Sequence, residues 1–155
     1  MVKELISGVT MIKLKKYNWK DYDKDIAKLV RRIKYAKFKP NTIVALARGG
    51  LIPGVSLSHR LKVPLLIIST SSYQGQQRGS LAFNASFTRP IQSPVLIIDD
   101  IIDSGETMSN IYNYISSLGV DVKTASLFYK ERSLFKPTWY LRKVKNEAWI
   151  NFAWE

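Results

Sequence analysis

The sequence predicts an α/β domain built on a largely parallel, twisted sheet flanked by helices. The first observation is a set of short apolar runs rich in β-branched residues at 42–46, 64–69, 95–98 and 122–128, which read as buried strands. The second is that these runs alternate with segments of helical spacing, the pattern that yields strand-helix-strand crossovers. The third is size and balance: 155 residues, 46% hydrophobic and 23% charged, suit one globular domain. At that length roughly 70% of the unfolded chain's surface can be buried.

Each element has a local reason. Asn18 is an N-cap candidate for a helix over 19–36, in which Tyr22, Ile26, Leu29, Val30 and Ile33 form an apolar stripe with Lys and Arg between them. Asn41 opens the strand at 42–46, and Arg48-Gly49-Gly50 leads into a helix over 51–61, where Pro53 falls in the first turn. After the strand at 64–69, residues 70–84 turn small and polar without periodicity, which predicts a flexible surface loop. Residues 81–88 are candidates for a strand or ribbon. The strand at 95–98 runs into an acidic segment, and a helix over 106–118 ends at Gly119 in the C′ position. The strand at 122–128 follows.

Composition excludes several classes. With no cysteine and one histidine, His59, neither a disulfide scaffold nor a thiolate or histidine-rich metal site can form, so any metal sits on oxygen ligands. No apolar run approaches the 18 or so residues of a membrane span. The N-terminus lacks the apolar core and cleavage pattern of a secretory signal, so the expected location is cytoplasmic. The net charge of +12 is uneven: residues 1–40 carry 12 basic and 4 acidic side chains, and residues 132–145 carry 5 basic and none acidic. Such a field draws anions, whether nucleic acid, an anionic surface or a polyphosphate, or merely keeps the protein soluble.

In parallel α/β sheets ligands bind beyond the carboxyl ends of the strands, where strand order switches. Three such ends carry chemistry. Asp99-Asp100-Ile101-Ile102-Asp103-Ser104-Gly105-Glu106-Thr107 joins a buried strand to a helix start. Asp99 and Asp100 suit Mg²⁺ or sugar hydroxyls. Ser104, Gly105 and Thr107 offer backbone N–H groups and two hydroxyls at a helix N-terminus, a phosphate site by dipole and geometry. A diol or metal site beside a phosphate site suggests a ribose 5-phosphate; helix capping by Asp103 or Ser104 would explain only one of these residues. Arg48-Gly49-Gly50 allows close approach of the backbone to a ligand and adds a forked cation, although a tight turn would use the same glycines. Neither Gly-x-Gly-x-x-Gly nor a P-loop motif is present. At the C-terminus, Trp149 is a candidate stacking platform, and Trp154 is balanced between that role and core packing.

The run Val95-Leu96-Ile97-Ile98-Asp99-Asp100-Ile101-Ile102-Asp103-Ser104-Gly105-Glu106-Thr107 resembles the hallmark motif of the type I phosphoribosyltransferases. Within that family the similarity is best to the small bacterial xanthine-guanine (and hypoxanthine) phosphoribosyltransferases, over most of residues 17–155. The segment at 45–54 resembles their pyrophosphate loop, that at 125–130 their base-contacting strand, and Trp149-Ile150 with Trp154-Glu155 their purine-pocket ending. The resemblance implies the family's fold in one domain, 1–155: an N-terminal extension over 1–16, a flexible active-site loop over 70–84 and a small purine-binding hood over 132–155. It implies transfer of a phosphoribosyl group from 5-phosphoribosyl 1-pyrophosphate (PRPP) to an oxopurine, with Mg²⁺ as cofactor.

Carried over residue by residue, the resemblance implies that Asp99 and Asp100 hold the ribose hydroxyls and the Mg²⁺ shell, with Glu155 a second candidate metal contact. Residues 103–107, including Ser104, Gly105, Glu106 and Thr107, hold the 5′-phosphate. Arg48 and Gly49 hold pyrophosphate, with a candidate cis peptide between them. Asp103 handles the proton at N7 of the purine, Lys130 binds the oxygen at C6, Trp149 stacks and the Ile150 carbonyl reads the C2 side. Ser71, Ser72 and Tyr73 open the loop, and Arg78 is a candidate phosphate contact. Homodimers or homotetramers are expected.

Two departures stand out: Ser104 replaces the usual Thr and keeps a hydroxyl, and Glu106 puts a carboxylate beside the phosphate loop. The rival expectation is a regulator on the same fold, binding the donor as effector and nucleic acid through its basic surface. The complete set Arg48, Asp103, Lys130 and Trp149 favours the enzyme.

Overall fold

The computed structural model describes residues 4–7, 10–70, 83–84 and 89–155. The chain runs through β1 (Glu4–Ser7), β2 (Thr10–Tyr17), α1 (Trp19–Tyr35), β3 (Thr42–Ala47), α2 (Leu51–Leu61), β4 (Leu65–Thr70), β5 (Phe83–Asn84), β6 (Val95–Ile102), α3 (Glu106–Ser117), β7 (Val122–Lys130), β8 (Trp139–Val144) and β9 (Ala148–Phe152). Six strands form the main sheet in the order β5-β4-β3-β6-β7-β8, all parallel except the two-residue β5.

The apolar strands are buried on both faces, as parallel strands between helices must be. Ile43, Ala45, Leu96 and Ile98 pack with Ile26, Leu29 and Ile33 of α1 and Leu57 of α2. Val44, Leu46, Val95 and Ile97 meet Met108, Ile111 and Ile115 of α3 on the other side. Helix ends follow their signals: Asn18 Oδ1 accepts from the Asp21 N–H at 2.9 Å, and Gly119 takes a φ of 80° just past α3.

Strand order reverses between β3 and β6: the chain leaving β3 moves through α2 to β4 on one side, and that leaving β6 moves through α3 to β7 on the other. The carboxyl ends of β3 and β6 therefore open a crevice at the middle of the sheet.

Three expectations are corrected. The strand expected to end at residue 98 continues to Ile102, so Asp99 and Asp100 lie within β6; side chains cap their neighbours, Asp100 N–H donating to Asp99 Oδ1 at 2.9 Å and Ile101 N–H to Asp100 Oδ1 at 2.6 Å. The basic segment at 132–145 is no mere part of a hood, because β8 extends the main sheet beside β7. Its Arg142 and Lys143 are the charged residues that edge strands carry. The small hood is instead a second sheet, β1-β2-β9, in which β2 pairs in parallel with β9, so the N-terminal extension and the C-terminal segment build it together. The alternation Ile12-Lys13-Leu14-Lys15 is the period-two signal for β2.

Of the flexible loop expected over 70–84, Thr70 closes β4 and residues 83–84 form β5; Ser71, Ser72, Tyr73 and Arg78 lie outside the described residues.

The two sheets are tied through Asp25, a carboxylate on the buried stripe of α1 with 8% of its surface exposed. Its Oδ2 accepts from Tyr17 Oη of β2 at 2.9 Å and from Arg142 Nε of β8 at 2.8 Å. The Arg142 guanidinium also lies 5.6 Å from the Tyr17 ring centre. Burial and the adjacent carboxylate push the Tyr17 hydroxyl's pKa upward, so it stays protonated and donates.

Candidate active site

The crevice holds a cavity of about 270 Å³ lined from β3 and its following turn by Leu46, Ala47 and Gly49, and from β6, its following turn and the start of α3 by Asp99–Asp103, Ser104, Gly105, Thr107 and Met108. A tight backbone makes room for it. A Cβ on Gly49 would lie 2.5 Å from the Asp100 carboxyl carbon, so only glycine lets the β3 turn approach that carboxylate. Gly105, at φ 86°, caps α3 in the left-handed region, and a Cβ there would press on Ser133 Oγ and the Phe135 N–H. The Glu106 N–H meets Ser104 Oγ at 3.3 Å. The α3 N-terminus thus faces the cavity with backbone donors and the Ser104 and Thr107 hydroxyls, an arrangement suited to a phosphate.

The carboxylates are electrostatically strained. Burial and the neighbouring Asp100 charge hold the Asp99 carboxyl well above the usual range. Asp100, only 6% exposed, is pushed up to about 6, chiefly by burial and further by Glu155, while the Ile101 N–H bond opposes the shift. Two adjacent carboxylates that resist ionisation together suit a hard divalent cation, which takes one or two protein carboxylates and completes its shell with substrate oxygens and water. Among the described residues no three acidic or histidine side chains cluster as a metal site, so Glu155 acts on Asp100 as a charge without completing a three-carboxylate set.

This raised carboxyl destabilises the free protein as pH rises. A folded-state pKa of about 6 against an ordinary value near 3.8 means that the native state binds the extra proton between those pH values, so stability is lost as pH climbs through that window. Asp100→Asn keeps an acceptor for the Ile101 N–H and removes the charge. It is expected to stabilise the metal-free protein by about 1–3 kcal/mol at pH 7.5, with the gain shrinking toward pH 4. Thermal unfolding at both pH values measures this; a variant no more stable at pH 7.5 would contradict it.

Asp103 lies at the cavity wall and joins β7 to it. Lys130, at the end of β7 and 6% exposed, sets its Nζ 3.2 Å from Asp103 Oδ2. Arg132 places Nε 2.8 Å and Nη2 2.6 Å from Asp103 Oδ1. Sequence reasoning had no role for Arg132; its closeness to Lys130 was the only available signal.

The remaining candidates stand apart from the cavity lining. Arg48 is exposed, next in the chain to the lining residues Ala47 and Gly49, and the cis peptide precedes it, between Ala47 and Arg48, rather than between Arg48 and Gly49 as expected. The exposed Glu106 side chain, at the first helical position of α3, is not in the lining. On β9, Trp149 is 58% exposed and Ile150 buried. Trp154 is a packing residue: it stacks on Phe152 at 4.8 Å and 22°, with Trp19 and Tyr22 at 5.7 and 5.2 Å. Among the described residues no helix is long and apolar enough to cross a membrane.

Comparison with known proteins agrees with this geometry. Residues 17–155 match the family model of the phosphoribosyl transferase domain. A purine phosphoribosyltransferase from Pyrococcus horikoshii superposes with a TM-score of 0.76 at 32% identity, over 92% of this chain and 94% of that one. The xanthine-guanine-hypoxanthine phosphoribosyltransferase of Helicobacter pylori superposes with a TM-score of 0.82 at 24% identity, over 92% and 94% of the two chains. A xanthine-guanine phosphoribosyltransferase of Chromohalobacter salexigens is 25% identical over 89% of this chain and 82% of its own length. The crevice at the switch point, the helix start that opens onto it and these matches together make the chain a member of the type I phosphoribosyltransferases, an enzyme related to the small bacterial xanthine-guanine phosphoribosyltransferases.

Proposed function

We propose that this enzyme transfers the phosphoribosyl group of PRPP to an oxopurine (xanthine, guanine or hypoxanthine), giving the nucleoside 5′-monophosphate and pyrophosphate, with Mg²⁺ as cofactor. The observation that carries this reading is the pairing of buried Lys130 with Asp103 at the cavity wall, 3.2 Å apart. An oxopurine presents a carbonyl oxygen at C6 beside N7, and a lysine ammonium next to a carboxylate matches that edge, donating to the one and accepting from the other.

The N-terminus of α3, with Ser104, Gly105 and Thr107, holds the 5′-phosphate. Asp99 and Asp100 accept from the ribose hydroxyls and would hold Mg²⁺, which when bound offsets charge on the pyrophosphate. Arg48 and the Gly49 backbone hold the pyrophosphate end, and Trp149 offers the stacking face. In the transfer the N9–C1′ bond forms as the C1′–O bond to pyrophosphate breaks, and Asp103 takes the proton leaving N7. No nucleophilic side chain is required: positioning and charge stabilisation supply the rate. The family resemblance also supports a homodimer as the smallest assembly, which sedimentation measures.

The test is product formation by chromatography with PRPP, Mg²⁺ and a panel of xanthine, guanine, hypoxanthine, adenine, uracil and orotate. Turnover confined to oxopurines is expected. No turnover of any base, with PRPP still bound, would overturn the reading in favour of a regulator that uses the donor as effector.

A further inference from the structure

We propose that Arg132 is a positioning residue for the transfer, pinning one oxygen of Asp103 so that the other faces the purine; this rests on the oxopurine reading above. The two cations divide the carboxylate. Lys130 meets Oδ2, whereas both Arg132 donors, Nε at 2.8 Å and Nη2 at 2.6 Å, converge on Oδ1. Lys130 is buried, and the base-facing job assigned to it draws its ammonium toward the C6 oxygen. Asp103 has 46% of its side chain exposed, so once Lys130 is shared with the base it would be free to turn unless Oδ1 stays held. Arg132 supplies that second hold, and the proton leaving N7 goes to Oδ2.

The backbone around Arg132 is built to keep it there. Its N–H donates to Asn146 Oδ1 at 2.7 Å, fastening it to the turn between β8 and β9. Two residues on, the Leu134 N–H donates to the Ser104 carbonyl at 3.0 Å, docking the same turn onto the phosphate loop. Ser133 Oγ lies 2.5 Å from where a Cβ on Gly105 would be, so the two turns are in contact. The Arg132 side chain, 53% exposed, is therefore carried on a turn fixed at one end to the β8–β9 turn and at the other to the loop that bears Asp103 and Ser104.

Steady-state kinetics of R132A and R132K test the assignment. R132A is expected to lower kcat by roughly 10–100-fold with KM for base and PRPP within about threefold, the signature of lost orientation rather than lost binding. R132K should recover most of the loss, because both native donors reach a single oxygen that an ammonium can also serve. A kcat of R132A within about twofold of the parent, or a raised KM for PRPP at unchanged kcat, would overturn the proposal. The second measurement needs no turnover: the ¹⁵N resonance of the Arg132 Nε–H in the substrate-free protein should persist in K130A and vanish in D103N. Its loss in K130A would show that Arg132 does not hold Asp103 alone, and would overturn the pinning whatever the enzyme's substrate. Failure of the parent protein to turn over any base removes the catalytic half of the proposal together with the oxopurine reading, and a persisting resonance identifies that case.

Discussion

Replacing Asp103 by asparagine is expected to lower kcat for oxopurine turnover by roughly 10²–10⁴-fold, the range that a positioned general base contributes. The amide keeps the shape and one acceptor but cannot take the purine proton. It also withdraws a negative charge from between Lys130 and Arg132, of which Lys130 is buried and loses its only ion pair among those described. Leaving a buried ammonium unpaired is costly, so some stability is lost as well. Thermal unfolding beside the kinetics separates the two effects: the folded fraction at assay temperature should stay near one while kcat collapses. A variant that turns over oxopurine within about threefold of the parent would remove Asp103 from the chemistry.

Asp25→Ala is expected to have the largest effect on stability, about 3–5 kcal/mol, because it takes the common acceptor from two donors. Tyr17 Oη and Arg142 Nε both lie within 2.9 Å of Asp25 Oδ2, and Tyr17 is 2% exposed. Its hydroxyl would be left in a wall of Phe128, Phe152 and Trp154 rings with no acceptor. Arg142 is a third exposed and regains part of its hydration, which places the loss toward the lower end. With about 2–4 °C of Tm per kcal/mol at this chain length, a drop near 10 °C is expected by calorimetry. Asp25→Asn, which keeps an acceptor, should lose less. A loss under about 1 kcal/mol would show that α1, β2 and β8 do not depend on this junction.

Much of the fold was legible because its signals are local. The apolar runs at β3, β4, β6 and β7, the Asn18 cap, and Gly119 past α3 each follow from one residue's conformational or hydrogen-bonding preference. The turn that opens α3 at the cavity was legible for the same reason, since Ser104, Gly105 and Thr107 are close in sequence and sit at one helix start. β8 was not, because its basic residues read as solvated surface until Arg142 is seen to reach Asp25 across 117 positions.

By itself, the sequence determined the parallel α/β class, the family, and the two segments, at 47–50 and 99–107, that supply the crevice, since strand burial and helix starts are written in short stretches of chain. Only the tertiary structure decided that both termini share one small sheet, that Asp25 is a buried junction and that Arg132 joins Lys130 on Asp103. Each of these pairs residues far apart in the chain, and no local preference of one partner encodes where the other will stand.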